Sequence, residues 1–169
     1  MSCIAYRVAG IALGVALPSL LTTPSSAQLL ERKDLSLKTA LAIAETAADS
    51  CLGQGYRVSV TIVGRNGEPL VQLRGDNTSP HTWENSQRKA YTARTFRVSS
   101  AEFAKRTMKP GEPAGAQTML SGVIPLAGAL PIMIGEEVIG AVGVSGAPGG
   151  EKDEACAKTG IDKVADQLK

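Results

Sequence analysis

The segment that most resembles a catalytic motif is the glycine-rich stretch GAVGVSGAPGGEKD at residues 140–153. A phosphate-binding loop requires Gly-x4-Gly-Lys-Ser/Thr, so that backbone amides and a lysine surround the phosphate. Here Gly146 and Gly150 lead instead into the acidic run Glu-Lys-Asp-Glu at residues 151–154. These carboxylates oppose an anion and suit the positive end of a helix dipole. The stretch is therefore not predicted to be a phosphate loop.

Ser145 lies in the same stretch, within Gly-Val-Ser-Gly-Ala, which lacks the last glycine of a Gly-x-Ser-x-Gly nucleophile elbow. Acyl transfer would also need His81, the only histidine of the sequence, as its base. No βαβ unit surrounds the glycines, as a dinucleotide site requires. We therefore predict a protein without catalytic activity, in which Gly140, Gly143, Ser145 and Gly146 line a close contact. That contact is with a helix, a neighbouring subunit or a flat ligand.

His81 follows a proline in the polar loop GDNTSPHT at residues 75–82. Imidazole is the usual proximal ligand of haem iron, which makes His81 a candidate axial ligand. The alternative is a solvent-exposed loop residue with no ligand. A zinc site would need a cluster of His and Cys side chains that the sequence does not contain.

Two cysteines remain once Cys3, in the N-terminal segment, is set aside. Cys51 ends the first predicted helix, and Cys156 lies in the first turn of the last one. If these helices pack antiparallel on one face of a sheet, the two thiols meet at the separation a disulfide requires. We therefore predict a Cys51–Cys156 disulfide, with two buried thiols as the alternative.

The first 27 residues resemble an export signal. Arg7 is their single charge, residues 8–21 are apolar, and Ser25 and Ala27 fit the small-x-small pattern of a cleavage site. We expect cleavage after Ala27, which leaves one periplasmic or secreted domain at residues 28–169 with no membrane attachment. The alternative is an uncleaved membrane anchor. The formal net charge of +2, with both signs interspersed, argues against nucleic acid as a partner.

Hydrophobic periodicity predicts three main helices. They cover residues 35–52, 83–96 and 151–168. In the second of them Trp83, Ala90 and Ala93 sit near one face, and Lys89 is expected elsewhere. A shorter helical piece is expected at residues 100–108.

Alternating β-branched residues predict two hairpins between these helices. Residues 56–63 return through an Asn-Gly turn into residues 68–74, and Pro69 indicates an edge or a bulge in the second strand. Residues 130–145 form the other hairpin, and a further short strand is expected near residues 119–125. The order of elements predicts an α+β fold, an antiparallel sheet with helices packed on it.

Three segments carry a resemblance to a known family. They are TIVGRNGEPL at residues 61–70, SQRKAYTARTF at residues 86–96 and GALPIMIGEEVIGAVGVSGAPGGEKDEACAKTGI at residues 128–161. Together they resemble the GlcG/HbpS family of haem-binding proteins. The likeness extends over essentially residues 35–168.

The resemblance implies a profilin-like fold with about five antiparallel strands flanked by helices, and a homo-oligomer, which in some members is an octamer. It implies an exported haem-binding or haem-sensing accessory protein. Other members accompany glycolate-utilisation genes, so two alternatives stay open. One is an accessory to small hydroxy-acid metabolism, and the other a structural or interaction subunit that binds a different small ligand.

Haem ligation varies within that family, so the resemblance does not assign the axial ligand. His81 is the first candidate on chemical grounds, and Tyr91, Met108 and Met119 are weaker ones.

Overall fold

The computed structural model describes residues 29–109 and 113–169, and their elements follow the predicted order of helix, hairpin, helices, hairpin and helix. The predicted signal segment and its cleavage after Ala27 lie outside these residues. The helices and strands are α1 (Leu37–Gly53), β1 (Ser59–Val63), β2 (Pro69–Arg74), α2 (His81–Phe96), α3 (Ser100–Thr107), β3 (Ala129–Ile134), β4 (Glu137–Ser145) and α4 (Gly150–Lys163). Short 3₁₀ helices cover Pro113–Met119 and Ala165–Gln167.

The strands form one antiparallel sheet in the order β2-β1-β4-β3, which confirms both predicted hairpins. Each hairpin brings one strand to the centre and leaves the other at an edge. The register between β1 and β2 shifts at Ile62 and Val63, where Val63 faces Pro69. Proline has no amide hydrogen to donate, so a bulge on an edge strand accommodates it.

The strand expected near residues 119–125 is absent, so the described residues contain four strands and not about five. This segment follows the 3₁₀ helix and bonds to side chains of α2. The Ile124 amide donates to Thr92 Oγ1 at 2.9 Å, and the Val123 carbonyl accepts from Arg88 Nη2 at 2.9 Å. Because these groups are already bonded to α2, the segment does not pair with a neighbouring strand.

One side of the sheet, here called the apolar face, carries Val60 and Ile62 of β1 and Val142 and Val144 of β4. Helices α1 and α4 pack against it and against each other. At the start of α1, Ser36 Oγ accepts from the Thr39 amide at 3.1 Å. Burying β-branched and aliphatic side chains from three elements makes this face the main source of hydrophobic stabilisation.

The opposite side, here called the small-residue face, carries Ser59, Thr61 and Val63 of β1 and Ala141 and Gly143 of β4. Helix α2 lies directly on it. Two buried hydroxyl pairs join helix to strand, Ser59 with Thr82 at 2.9 Å and Thr61 with Ser86 at 2.8 Å. The small side chains bring the backbone of α2 close to the sheet.

The predicted disulfide is present. Cys51 Sγ and Cys156 Sγ are 2.10 Å apart, and their Cα atoms are separated by 5.5 Å. The bond joins the last turn of α1 to the second turn of α4, within the core that these helices form with the apolar face. Both cysteines are fully buried.

In the described part of the chain, none of the helices has the length and apolar character needed to cross a bilayer.

Candidate functional site

A cavity of about 490 Å³ opens where β4 leaves the sheet and the chain turns into α4. Its walls come from the loop after α1, the loop before α2, the first turns of α2 and the N-terminus of α4. It is lined by Gly55, Tyr56, Arg57, Asn77, Ser79, His81, Thr82, Asn85, Lys89, Leu126, Ala127, Ser145, Gly146, Ala147, Gly149, Gly150 and Asp153. Most of these residues are polar or glycine, so the cavity is rich in hydrogen-bonding groups.

His81 lies at the opening of this cavity as the first residue of α2, and it is solvent-exposed. The sequence placed it in a loop before the helix, whereas the helix begins at His81 itself. Pro80 precedes it with φ −55°, an angle that proline fixes and that suits a helix start. Thr82 Oγ1 donates to the Ser79 carbonyl at 2.8 Å and also pairs with buried Ser59, which anchors the first turn to β1.

Three residues of α2 form a row along the cavity wall. His81, Asn85 and Lys89 are spaced four apart, so they lie on the same side of the helix over about 12 Å. His81 is exposed, Asn85 is half-buried and Lys89 is buried. The row therefore runs from the mouth of the cavity to its floor.

A buried ion pair forms the floor. Lys89 Nζ donates to Asp153 Oδ2 at 2.8 Å and to the Val144 carbonyl at 3.1 Å, and the two side chains are only 5% and 3% exposed. The other carboxylate oxygen of Asp153 accepts from the Ala147 amide at 3.0 Å. An ammonium group has three donors, so one N–H of Lys89 has no acceptor among the described residues.

Burial raises the pKa of Asp153 above its usual value, although the charge and hydrogen bond of Lys89 and the Ala147 amide act in the opposite direction. Removing a carboxylate from water disfavours its charged form, which is the larger effect here. Lys89 and the Ala147 amide are thus the groups that favour the charged form of Asp153 and lower its pKa against the effect of burial.

Gly128 makes the space for this pair. A Cβ at this position would lie 2.7 Å from Lys89 Nζ and 2.7 Å from the Val144 carbonyl oxygen, and the residue has φ +133°. A side chain there would be strained in any case and would displace the ammonium group. The loop into β3 is therefore shaped around Lys89.

The space beside two of the glycines predicted to permit a close approach, Gly140 and Gly143, is filled by other parts of the same chain. A Cβ on Gly143 would fall on the Ser86 carbonyl oxygen and 2.6 Å from the Ala90 amide of α2, and one on Gly140 would meet Leu35 and the Val63 carbonyl oxygen. The close approach is thus made by α2 at Gly143, and by β1 and Leu35, which precedes α1, at Gly140.

Ser145 and Gly146 do line the cavity. Ser145 is 3% exposed, and its hydroxyl has no hydrogen-bond partner among the described residues. Gly146 has φ +136° and passes against the Arg57 carbonyl oxygen, which turns the chain out of β4 and opens the cavity.

The weaker ligand candidates lie away from this cavity. Tyr91 packs between Gly67 and Gly122, where added Cβ atoms would approach its ring to 2.8 Å and 3.2 Å. Met108, after α3, is 68% exposed, and Met119 is 87% exposed. Of the four candidates, all within the described ranges, His81 alone lines the cavity.

Lys89 and Asp153 are the residues that the sequence reasoning missed. Lys89 was expected away from the face of Ala90 and Ala93, and Asp153 was interpreted only as a partner of the helix dipole. The helical spacing could have indicated that Lys89 is buried. Lys89 lies seven positions after Thr82 and three after Ser86, so the three residues share one side of α2, and that side is buried. Trp83, which was grouped with that face, is instead 42% exposed.

Comparison with known proteins supplies the family. Residues 35–162 match the family model described as "Haem degrading protein HbpS-like". The chain belongs to the HbpS-like family. The matched range contains every residue that lines the cavity, so the site is part of the domain that this HbpS-like chain shares with its relatives.

Solved structures resemble this HbpS-like chain over most of its length. A variant of HbpS from Streptomyces reticuli superposes with a TM-score of 0.75 at 34% identity, covering 83% of this chain and 95% of the other. PduOC, solved as a complex with haem, superposes with a TM-score of 0.70 at 25% identity, covering 76% and 94%. The α+β fold with its antiparallel sheet is thus that of HbpS-like proteins.

A curated relative is also similar. An uncharacterized 15.0 kDa protein from the dhaT-dhaS intergenic region of Citrobacter freundii is 30% identical over 129 residues, which cover 76% of this chain and 90% of that protein.

Proposed function

We propose that this protein is an exported haem-binding accessory protein and that the cavity with His81 at its opening is the haem site. The observation that carries the proposal is the position of His81. The imidazole is solvent-exposed at the mouth of a cavity in a chain of the HbpS-like family. PduOC, a structural neighbour, supports the same ligand because it is described as a haem complex.

The residues present fit haem. An exposed imidazole is a suitable donor to iron, and Tyr56, Leu126 and Ala127 contribute apolar surface to the same cavity. The cavity volume of about 490 Å³ lies within the range of about 300–1,000 Å³ that small-molecule sites occupy. Bound haem would supply a redox-active, strongly absorbing iron centre, and the chain would supply its binding and orientation.

We further propose that the protein acts in the periplasm or outside the cell, as a homo-oligomer. The signal-like segment at residues 1–27 supports export, and the Cys51–Cys156 disulfide is compatible with an oxidising compartment. The cavity is open to solvent at His81, and in a homo-oligomer a second copy would be able to cover this opening.

We propose binding without catalysis by the chain itself, although the family model is described by haem degradation. No general base or nucleophile of the cavity is poised beside another: Ser145 lacks a basic partner among the described residues, and Lys89 is held by Asp153. If hemin is lost in the presence of peroxide at the same rate with the protein as in free solution, the chain does not catalyse that loss.

A second candidate is binding of a different small ligand, such as a small hydroxy acid. The polar lining favours it, because Asn77, Ser79, Asn85, Lys89 and Ser145 all present hydrogen-bonding groups to the cavity. In this case the protein would be an accessory to hydroxy-acid metabolism or an interaction subunit.

The haem proposal is tested by titrating the purified protein with hemin and recording the Soret band. We expect His81→Ala to shift the band and to weaken binding at least about tenfold, a loss of about 1.4 kcal/mol. Met119→Leu, which removes another candidate donor outside the cavity, is the matched control and should bind as the wild type does. An unchanged spectrum and affinity in His81→Ala would exclude His81 as the ligand, and a wild type that does not bind hemin would end the haem proposal.

A further inference from the structure

The floor of the cavity holds three polar groups with unused hydrogen-bonding capacity. Lys89 has one N–H without an acceptor, the side-chain amide of Asn85 makes no hydrogen bond, and the Ser145 hydroxyl makes none, in each case among the described residues. Lys89 is 4% exposed and Ser145 is 3% exposed. All three residues line the cavity, so a ligand there can use this hydrogen-bonding capacity.

One of these groups can only donate, and the other two can donate or accept. An ammonium N–H only donates, whereas an amide has both an NH₂ donor and an oxygen acceptor, and a hydroxyl can do either. Because the Lys89 N–H requires an acceptor, a single partner with several lone pairs can satisfy all three groups. A carboxylate has two oxygens and about four lone-pair positions, and a charged acceptor strengthens each bond.

The charges around this floor are of both signs, because the exposed Glu151 carboxylate lies against Gly149 at the start of α4, opposite the Lys89 cation. Both oxygens of Asp153 are engaged, one by Lys89 at 2.8 Å and the other by the Ala147 amide at 3.0 Å, which offsets its negative charge. Gly149 and Gly150 line the same cavity at the N-terminus of α4, where the helix dipole is positive. Lys89 of α2 brings a cation to the end of β4, within the glycine-rich stretch.

We propose that Lys89, Asn85 and Ser145 form a carboxylate-binding subsite at the cavity floor. This inference rests on the proposed function, because the subsite is part of the cavity that is proposed to bind the ligand. The carboxylate comes either from a haem propionate, with His81 about 12 Å away along α2 at the iron end, or from a small hydroxy acid. In both cases the floor determines the orientation of the ligand and selects against esters and amides.

The test compares three probes on the purified protein: hemin, hemin dimethyl ester, in which both propionates are masked, and glycolate. We expect hemin to bind at least about tenfold more tightly than its ester, because hydrogen bonds to a charged acceptor are lost on esterification. Ser145→Ala and Asn85→Ala should weaken hemin about three- to tenfold and leave the ester unaffected. Both variants remove small groups that bond to nothing else described, so folding is expected to survive. Gln87→Ala, on α2 but outside the cavity, is the matched control.

The outcomes separate this inference from the haem proposal. If hemin and its ester bind with equal affinity, and if both variants bind hemin as the wild type does, the subsite is overturned and the haem proposal stands. Glycolate binding that Ser145→Ala abolishes, together with no hemin binding, would support the subsite and overturn the haem proposal. No binding of hemin or glycolate by the wild type would overturn both.

Discussion

The two faces of the sheet differ in what they contribute. On the apolar face, Val60, Ile62, Val142 and Val144 pack against α1 and α4, and the Cys51–Cys156 disulfide joins those helices. The small-residue face is built from hydroxyls, alanines and a glycine, with α2 pressed against it. The first face stabilises the fold through burial, whereas the second brings the backbone of α2 close enough to set the row His81, Asn85 and Lys89 against the cavity.

On the apolar face, we expect the largest loss of stability from removing the Cys51–Cys156 disulfide. The bond closes a loop with a sequence separation of 105, and the chain-entropy model gives about 4.7 kcal/mol for a loop of about 100 residues. We expect the Cys51→Ala, Cys156→Ala double variant to lose about 2–5 kcal/mol in urea unfolding, with the cavity unchanged. Dithiothreitol should destabilise the wild type and have no effect on the variant. Equal stability of the wild type with and without reductant would contradict this prediction.

Breaking the buried Lys89–Asp153 pair, on the side of the sheet where α2 packs, should lower the free energy of unfolding by a similar amount. Lys89→Ala leaves the Asp153 carboxylate buried without its cation, and we expect a loss of about 3–5 kcal/mol. Because burial already raises the pKa of Asp153, the folded variant binds a proton more tightly than the unfolded chain does, and the loss should shrink as the pH falls.

The matched control for this variant is the exposed pair of Lys158 and Asp162, whose side chains are 67% and 58% exposed. Lys158→Ala removes the same charge and is expected to cost about 0.5 kcal/mol or less. Urea unfolding at several pH values measures both. A Lys89→Ala variant no less stable than Lys158→Ala would show that the pair is not needed by the fold.

The close approach of α2 should give a smaller effect. In Gly143→Ala the new methyl meets the Ser86 carbonyl and the Ala90 amide of the helix backbone, so α2 must move, at a cost of about 1–3 kcal/mol. Gly53→Ala, at the end of α1 with nothing within 4 Å of its Cβ, is the control and should be neutral or slightly stabilising. If Gly143→Ala and Gly53→Ala have the same free energy of unfolding, the packing of α2 on the small-residue face does not require a glycine at position 143.

Much of the fold was predictable because the periodicities are local. The hairpins, the main helices and the edge position of Pro69 follow from alternation, turn residues and the missing amide of proline. The prediction of an extra strand near residues 119–125 was wrong, because backbone groups of this segment bond to the side chains of Thr92 and Arg88. Those bonds join residues more than thirty positions apart, and no local pattern contains them.

The sequence by itself determined the helices, the hairpins, the cysteine pair and the lone histidine, since each depends on residue type and near neighbours. Folding placed Lys89 beside Asp153, 64 positions further along the chain, and in the same cavity as Ser145. The reason is physical: a buried charge is tolerated only where its partner is, and folding alone decides which distant residues meet. The glycine-rich stretch lacks a phosphate-loop lysine in sequence, and in space Lys89 of α2 contacts the end of β4.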